Sequence, residues 1–299
     1  MLEKNSIYSK ITLIIVAYKS RDNILSNLKA MENFKTIVVD NSNDLVFKDT
    51  LSKYKNIRYE CLNKNIGFGK ANNFGVSLAT TEYVLILNPD IKIDPDAISQ
   101  LFNAFSKYKN VGVAGPILLD ELQNVRTNSS LSYLKKIKKR SLFEKNIFKT
   151  IEKKESSGDF CADYIIGCAM LFTTNFYLSI GGFNPKFFMF FEDNEICERI
   201  KKKGFLVIES FNSKMIHYEG KSGEYTFFED CRSKIAHKFS EYIYLNINKK
   251  KLSLYLLINF FDYFQRFLVN LFRFRFRNSL DNFLRMVSIF LYIIFKLRY

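Results

Sequence analysis

The sequence predicts an α/β fold with a mostly parallel sheet flanked by helices, and two observations support this prediction. Short apolar runs of β-favouring residues recur early in the chain, at Ile11–Tyr18, Lys35–Asp40, Ile57–Cys61 and Tyr83–Leu87. Segments with helical spacing of apolar residues lie between several of these runs. Strands that alternate with helices are typical of parallel sheets with right-handed crossovers.

Two helices are predicted between these strands. Asp22 is the expected N-cap of the first, whose apolar face carries Ile24, Leu28 and Met31. The second follows residues 63–75, a stretch rich in Asn and Gly, and is expected to reach about Thr80. A glycine-rich turn permits close backbone approach, and the N-terminus of the following helix favours an anion.

The strand Tyr83–Leu87 runs directly into Asn88-Pro89-Asp90. Pro89 ends the strand because proline has no N–H for the sheet. Asp90 therefore follows the carboxyl end of a buried strand, which is the edge where open α/β sheets bind ligands. A carboxylate there is typical of a divalent metal bound to phosphate, although a simple turn cap also explains it.

The pattern continues to about residue 223 with one basic interruption. The predicted elements are a helix from Asp94-Pro95, strands at Val111–Ile117, Tyr164–Phe172, Phe205–Ile208 and Lys214–Tyr218, and a helix from Glu192 to Gly204. Between residues 133 and 154, nine Lys or Arg residues crowd a polar segment. This basic loop is either a solvated surface segment or a loop over the active site that meets an anionic acceptor.

Composition sets further bounds. The 299 residues suit one large domain, or one domain with an appendage. Five scattered Cys and only two His argue against a zinc cluster and a disulfide framework, so a reducing cytoplasm is expected. No signal peptide is recognisable, and no run approaches the roughly 18 apolar residues of a membrane span.

The tail from about Lys249 has a distinct texture. It carries ten Lys or Arg and two Asp, interleaved with Phe, Leu and Ile. Such a pattern is typical of amphipathic helices that lie in an anionic membrane interface, although a helical subdomain or a homodimer contact also fits. Nucleic acid is not expected as a partner, because no RNP, helix-turn-helix or zinc pattern accompanies the net charge of +15.

Several residue types point to group transfer from a nucleotide-activated donor. Asp40 and Asp90 both follow buried strands and should share one sheet edge. Asp193 is a candidate general base, and His217 is a candidate second metal ligand beside Asp90. The chain lacks the GxxxxGK[ST] phosphate loop, and Gly67-Phe68-Gly69 lacks the third glycine of a dinucleotide fingerprint.

Nine short motifs in order resemble glycosyltransferase family 2, the inverting GT-A enzymes, and especially the bacterial rhamnosyltransferase-like branch of O-antigen and capsule biosynthesis. They are Val16-Ala17-Tyr18, Asp40-Asn41-Ser42, residues 65–73, Leu87-Asn88-Pro89-Asp90, Gly115-Pro116, residues 167–171, Gly181-Gly182-Phe183-Asn184, residues 188–193 and His217. The resemblance spans residues 11 to about 223. It implies a GT-A (Rossmann-like) catalytic domain over residues 1–247, followed by a helical, membrane-associating tail over residues 248–299.

The resemblance also implies roles for individual residues. Asp193 would be the base that deprotonates the acceptor hydroxyl, with Glu192 beside it. Asp90 and His217 would hold Mg²⁺ or Mn²⁺, and Asn88 stands where many relatives carry the first acid of a DxD motif. The nucleotide pocket would be lined by Val16, Ala17, Tyr18, Asp40, Asn65, Gly67, Phe68, Asn72, Asn88 and Asp90, with Asp40 accepting a hydrogen bond from the base.

The implied reaction transfers a sugar from dTDP-rhamnose or a UDP-hexose to a lipid-linked saccharide. The enzyme would act in the cytoplasm, peripherally on the inner face of the plasma membrane, through residues 248–299. Two alternatives remain open from the sequence. A nucleotidyltransferase would carry a Gly-rich loop after the first strand, where this chain has residues 18–22 without glycine. A non-catalytic membrane-associated scaffold would not need Asp90, Asp193 and His217.

Overall fold

The computed structural model describes residues 7–126, 129–130, 158–218, 226–247 and 252–298. The basic loop predicted at residues 133–154 lies outside these ranges. The chain forms two compact units. The first unit comprises Met1–Asn184 and Glu192–Glu224, and the second comprises Pro185–Phe191 and Tyr225–Tyr299.

The first unit is built on a mixed, mostly parallel sheet with the strand order β3-β2-β1-β4-β9-β5-β10-β7. Its strands are β1 Ile11–Ala17, β2 Lys35–Asp40, β3 Ile57–Cys61, β4 Tyr83–Leu87, β5 Val111–Leu119, β7 Phe160–Cys161, β9 Ala169–Thr173 and β10 Leu206–Ile216. Strands β1 to β4 pair in parallel, and so do β5 and β10. Strand β9 lies antiparallel between β4 and β5, and β7 is antiparallel at the edge. A separate antiparallel pair joins β6 Ser129–Ser130 to β8 Tyr164–Ile165.

Helices pack on the sheet, and all but the third and the sixth of them lie where the sequence predicts a helix. They are α1 Arg21–Ser26, α2 Leu28–Met31, α3 Leu45–Leu51, α4 Phe68–Ser77, α5 Pro95–Lys107, α6 Thr174–Ser179 and α7 Glu192–Lys202. Every residue of β1 is buried, because the two faces of the strand pack into two different apolar clusters. A Cβ on Gly75 would lie 2.7 Å from Ile14 Cγ2, so α4 lies directly against β1. This close packing fixes where the N-terminus of α4 points.

Helix α5 starts at Asp94-Pro95 as predicted, and the Asp94 side chain caps it by accepting from the amides of Asp96 and Ala97. The predicted Asp22 cap is wrong. Ser20 occupies the N-cap position and Asp22 lies in the first turn of α1. The helix also breaks at Asn27, because the Asn27 amide is hydrogen-bonded to Ile91 O and to Ile93 N at 2.9 Å each.

Two strand predictions are corrected. The single strand predicted over Tyr164–Phe172 is two strands, β8 and β9, separated by a turn. Within that turn Gly167 N donates to the Asp193 side chain and not to a neighbouring strand, while Cys168 O accepts from Asn88 N and continues the register of β4 and β9. The two strands predicted at residues 205–208 and 214–218 are one strand, β10, with a register shift between Ser210 and Lys214.

The second unit carries three helices, α8 Phe227–Ile247, α9 Leu252–Phe272 and α10 Phe276–Arg298. Its described core is largely aromatic and aliphatic, with buried Tyr242, Tyr244, Leu256, Tyr263, Leu284, Ile289 and Tyr292. The buried Glu241 carboxylate accepts from Lys238 Nζ and from the Tyr255 hydroxyl, each at 2.5 Å. The unit begins upstream of the domain boundary predicted at residue 248, and that boundary stays a prediction.

None of the described helices combines the length and the apolar character that a membrane crossing requires. The expectation that the tail forms helices is confirmed by α9 and α10.

Candidate active site

The predicted site residues of the first strands lie at one edge of the sheet. Strands β1, β2 and β4 are parallel neighbours, and Ala17 is in register with Asp40. Val16 and Ala17 are buried at the end of β1, while Tyr18 is half-buried just beyond it. Because these strands run in the same direction, the loops that follow them open on the same side. The sheet therefore assembles the residues that the sequence predicts for a nucleotide pocket.

Asp40 is fully buried, and its carboxylate is occupied by groups of the protein itself. It accepts from the amides of Ser42 and Asp44 at 2.7 Å each, from the Ser42 hydroxyl, and from the Tyr59 hydroxyl at 2.6 Å. Burial and the nearby Asp40 carboxylate raise the pKa of Tyr59, which keeps the phenol protonated as a donor. Asp40 thus holds the loop after β2 in a fixed shape.

The turn before α4 is held by asparagine side chains. Asn65 Oδ1 accepts from Gly67 N at 2.9 Å, and Asn41 Oδ1 accepts from Ile66 N at 3.3 Å. Gly67 has φ of 91°, a conformation that favours glycine, immediately before the helix starts at Phe68. Asn72 donates to Phe68 O at 3.0 Å, while its buried Oδ1 has no hydrogen-bond partner among the described residues. An unsatisfied buried acceptor marks a place where a ligand donor or water is favoured.

Asp90 and His217 lie together as predicted, with Asp90 Oδ1 3.2 Å from His217 Nε2. Their segments are joined by an antiparallel bridge, in which Tyr218 N donates to Asp90 O at 2.9 Å and Lys92 N donates to Ile216 O at 2.8 Å. His217 therefore lies just past the end of β10, not within a strand as the sequence predicted.

A carboxylate and an imidazole are suitable ligands for Mn²⁺, and the carboxylate also suits Mg²⁺. In the part of the chain that the structure describes, no group of three or more His, Cys, Asp or Glu side chains could hold a metal ion. Asn88, at the first position of the motif, supplies no acid. Among the described residues this pair could therefore supply two ligands to a divalent cation, and further ligands would have to come from outside the protein.

The acid pair, Glu192 and Asp193, begins helix α7. Asp193 Oδ2 accepts from Gly167 N at 3.0 Å, and Asp193 Oδ1 accepts from the backbone and side-chain nitrogens of Asn194 at 2.7 and 3.0 Å. Burial raises the pKa of Asp193, which these hydrogen bonds oppose. Gly167 also adjoins the Phe68 ring, since a Cβ there would lie 3.4 Å from Phe68 Cε1 and 3.5 Å from Asp193 Cβ. The start of α4 and the acid pair therefore converge on one turn.

Glu192 is the more deeply buried member of the pair. Its side chain is 5% exposed, and Oε2 has no hydrogen-bond partner among the described residues. Burial, followed by the charge of Asp193, raises the pKa of Glu192 to about 8. At neutral pH most of Glu192 therefore keeps its proton. For Asp193, burial favours the protonated form and the hydrogen bonds to its carboxylate favour the ionised form.

Two polar networks hold α7 and α4 in place. Arg199 pairs with Glu195 at 2.8 Å and donates to the carbonyls of Ile180 and Gly182 at 2.5 and 2.6 Å. Asn73 Oδ1 accepts from Phe183 N at 2.8 Å and from the Tyr177 hydroxyl at 2.6 Å. Sequence reasoning missed Arg199, Asn73 and Tyr59 as supporting residues. The only local signal was the Gly181-Gly182 turn, where a Cβ on Gly182 would collide with Asn73.

The turn between β8 and β9 connects the two halves of the site. Gly167 N donates to Asp193, and the next residue, Cys168, accepts from Asn88 N at 2.8 Å. The acid pair and the Asp90–His217 pair are therefore fastened to adjacent residues of one turn. Residues 12–176, more than half of the chain, match the family model described as Glycosyl transferase family 2. The chain belongs to glycosyl transferase family 2.

Further comparisons agree with this assignment. Residues 151–221 match the model described as N-terminal domain of galactosyltransferase. The chain is 27% identical to dTDP-rhamnosyl transferase RfbF of Shigella flexneri over 219 residues, which cover 71% of this chain and 70% of the relative. It is 23% identical over 228 residues to N-acetylglucosaminyl-diphospho-decaprenol L-rhamnosyltransferase of Mycobacterium tuberculosis, covering 70% of this chain and 73% of the relative.

The fold is also found in solved structures. A structure of GalNAc-T7 with UDP, GalNAc and Mn²⁺ superposes with a TM-score of 0.59 at 13% identity. The match covers 88% of this chain and 51% of GalNAc-T7, about half the length of that protein. The GT-A architecture expected from the sequence is confirmed, and so is the rhamnosyltransferase-like family resemblance. The transferase uses a nucleotide sugar, and a nucleotidyltransferase is not favoured.

Proposed function

We propose that the transferase is a metal-dependent, inverting enzyme that moves a sugar from a nucleotide sugar to a lipid-linked saccharide in surface polysaccharide synthesis. The observation that carries the proposal is that one turn contacts both sites. Gly167 N donates to Asp193, and Cys168 O accepts from Asn88 N, at the start of the segment that ends in Asp90. A base and a diphosphate site at a fixed separation are the two parts that a single displacement needs.

The nucleotide is assigned to the edge formed by β1, β2 and the start of α4. Val16, Ala17, Tyr18, Asn65, Gly67, Phe68, Asn72 and Asn88 line it in this proposal. The unpartnered Asn72 Oδ1 supports an amide or hydroxyl donor of the ligand nearby. A contact between Asp40 and the base remains a prediction, and it requires one of the protein donors on that carboxylate to give up its place.

Asp90 and His217 are the proposed metal ligands. A bound Mg²⁺ or Mn²⁺ supplies Lewis-acid neutralisation of charge on the diphosphate leaving group. Asp90 contributes its charge and the bridge to residues 216–218 fixes its position, so the protein binds the cation with little reorganisation. The structural relative GalNAc-T7 was solved with UDP and Mn²⁺, which supports a divalent cation here.

Asp193 is the proposed general base. Its carboxylate takes the proton of the acceptor hydroxyl as that oxygen attacks the anomeric carbon of the donor sugar. The bond from the anomeric carbon to the diphosphate breaks in the same step, and the diphosphate leaves with the electron pair. One displacement inverts the configuration at that carbon. The raised pKa of Glu192 keeps this side chain mostly protonated beside Asp193 at neutral pH, and the proposed role requires Asp193 to be ionised when the acceptor binds.

The donor and acceptor are inferred from the relatives. RfbF is a dTDP-rhamnosyl transferase, and the mycobacterial relative acts on a decaprenol-linked diphospho-sugar. We propose dTDP-rhamnose as the donor, with a UDP-hexose as the alternative. A polyprenyl diphosphate saccharide is the proposed acceptor. We further propose a cytoplasmic enzyme that binds the anionic inner face of the plasma membrane through residues 248–299, with a homodimer as the alternative use of that tail.

A donor panel with purified full-length protein tests the proposed function. The protein is incubated with Mn²⁺, a polyprenyl diphosphate GlcNAc acceptor, and separately dTDP-rhamnose, UDP-glucose, UDP-galactose, UDP-GlcNAc and GDP-mannose. Transfer to the lipid from one donor, with release of its nucleoside diphosphate, supports the proposal. Neither transfer nor donor hydrolysis from any donor contradicts it and favours the non-catalytic scaffold.

The raised pKa of Glu192 predicts a specific pH dependence of stability. The folded protein holds the Glu192 proton up to a pH of about 8, whereas the unfolded chain releases it near 4.5. The free energy of unfolding therefore falls as pH rises between those values, by at most about 1.4 kcal/mol per pH unit. Glu192→Gln should remove this slope and become the more stable protein at pH 8, while its transfer rate at pH 7 stays within about threefold of wild type.

Urea unfolding of both proteins at several pH values measures this slope. Glu198→Gln is the matched control, because the altered carboxylate lies on the same helix and pairs instead with Lys202. Equal slopes in wild type and Glu192→Gln would show that Glu192 is ionised at neutral pH.

A further inference from the structure

The corner between α9 and α10 has an unusual residue at a position that glycine normally fills. Helix α9 ends at Phe272, after which Phe274 N donates to Leu271 O at 3.0 Å and Arg275 N donates to Asn270 O at 2.8 Å. This pair of hydrogen bonds is the Schellman motif, in which the residue at the position of Phe274 is left-handed and is usually Gly. Phe274 adopts that conformation, with φ of 54°.

A phenylalanine at this position is strained, because its Cβ crowds the backbone in the left-handed region. The strain is not offset by packing, since the Phe274 side chain is 80% exposed. Its neighbours Phe272 and Phe276 are 79% and 62% exposed, and the only ring contact found for Phe274 among the described residues is with Phe276. The helix end requires a left-handed residue here, but packing explains neither why that residue is phenylalanine nor why the three rings are exposed. Strain of this kind points to a function.

The corner is rigid and carries unpaired positive charge. Ser279 N donates to Arg275 O at 3.0 Å and the Ser279 hydroxyl donates to Phe267 O at 3.2 Å, which fastens the start of α10 to α9. Arg273, Arg275 and Arg277 are exposed and alternate with the phenylalanines. The nearby carboxylates of Asp262 and Asp281 pair instead with Arg266 and Lys234, and no described carboxylate pairs with the three arginines.

We propose that residues 272–277 are the point at which the protein inserts into an anionic lipid bilayer, with Phe274 entering the acyl boundary and the three arginines binding lipid phosphates. This inference rests on the membrane partner of the proposed function and assigns it to one corner of the second unit. Rings flanked by guanidinium groups match the apolar and anionic layers of a bilayer interface. A symmetric contact between two copies is disfavoured, because it would place the arginines of one corner against those of the other.

Phe274→Gly separates membrane insertion from folding, because the two effects have opposite signs. Glycine relieves the left-handed strain, so the melting temperature should rise by about 2 °C. The loss of the ring should weaken binding to vesicles of phosphatidylcholine and phosphatidylglycerol about tenfold. Replacing Arg273, Arg275 and Arg277 together by Gln should abolish the preference for these vesicles over pure phosphatidylcholine.

The experiment uses the full-length protein in a vesicle sedimentation assay, with melting, oligomeric state and donor-dependent transfer to a detergent-solubilised acceptor measured for each variant. Leu122→Gly is the matched control, because Leu122 is 82% exposed in the first unit and its removal should leave vesicle affinity unchanged. Transfer in detergent should be unchanged in Phe274→Gly.

The outcomes separate this inference from the proposed function. Unchanged vesicle affinity in Phe274→Gly, or a fall in its melting temperature, overturns the inference. So does conversion of a wild-type dimer to a monomer with unchanged vesicle binding, which would make the corner a self-contact. If the wild-type protein transfers sugar but does not bind the vesicles, only the membrane proposal fails. Absence of transfer from every donor, with Phe274-dependent vesicle binding retained, defeats only the proposed reaction.

Discussion

Replacing Asp193 by asparagine should lower the rate of sugar transfer by about 10²–10⁴-fold while nucleotide-sugar binding survives. The amide keeps the size of the side chain and can still accept from Gly167 N at the position where Asp193 Oδ2 lies, 3.0 Å away. It cannot take a proton from the acceptor hydroxyl. The loss should therefore appear in kcat, with the donor dissociation constant almost unchanged.

Transfer assays and isothermal titration with the identified donor measure both quantities. Glu198→Gln again provides the control for a carboxylate-to-amide change on the same helix, and it should retain transfer. If Asp193→Asn no longer binds the donor, Asp193 has a binding or structural role and not the role of a base. Transfer at the wild-type rate would assign the base to another residue.

Replacing Asp90 by asparagine should weaken metal-dependent donor binding by at least about 100-fold, because Asp90 supplies the only carboxylate beside His217 in the described part of the site. His217→Ala should act in the same direction, with a smaller effect because a neutral imidazole carries no charge. In wild type, EDTA should weaken donor binding to a similar degree. In Asp90→Asn, EDTA should have little further effect.

Asp94→Asn is the matched control for this prediction. It removes a carboxylate four residues away, and asparagine still caps helix α5 as Asp94 does. Isothermal titration with and without Mn²⁺ and EDTA provides the measurement. If wild type binds the donor equally well with Mn²⁺ and with EDTA, Asp90 and His217 do not hold a metal that donor binding requires.

Local sequence predicted the strands whose boundaries are set by local signals. Tyr83–Leu87 was predicted to the residue, because the apolar run ends at Leu87 and is followed at once by Asn88-Pro89. The predicted strand over Tyr164–Phe172 failed for a tertiary reason. Its middle residues are apolar or small and look like strand, but Gly167 N donates to the Asp193 side chain and not to a neighbouring strand. No local pattern shows which distant residue will receive a backbone hydrogen bond.

The candidate site divides in the same way. The sheet edge, the Asp90–His217 pair and the acid pair at the start of α7 follow from strand order and from motifs in the sequence. The hydrogen bonds that the protein donates to the Asp40 carboxylate could not be predicted, because one of the donors is Tyr59 on the neighbouring strand. The protonation of Glu192 could not be predicted either, since its pKa depends on a burial that only the packed helix creates.

We propose that one displacement, assisted by Asp193, transfers the sugar. The most direct test is the anomeric configuration of the first-formed product, followed by NMR during the reaction of the wild-type protein with its identified donor. We expect the product to have the configuration opposite to that of the donor, and Asp193→Asn to form it at least about 100-fold more slowly. A product that retains the donor configuration would contradict the single-displacement mechanism.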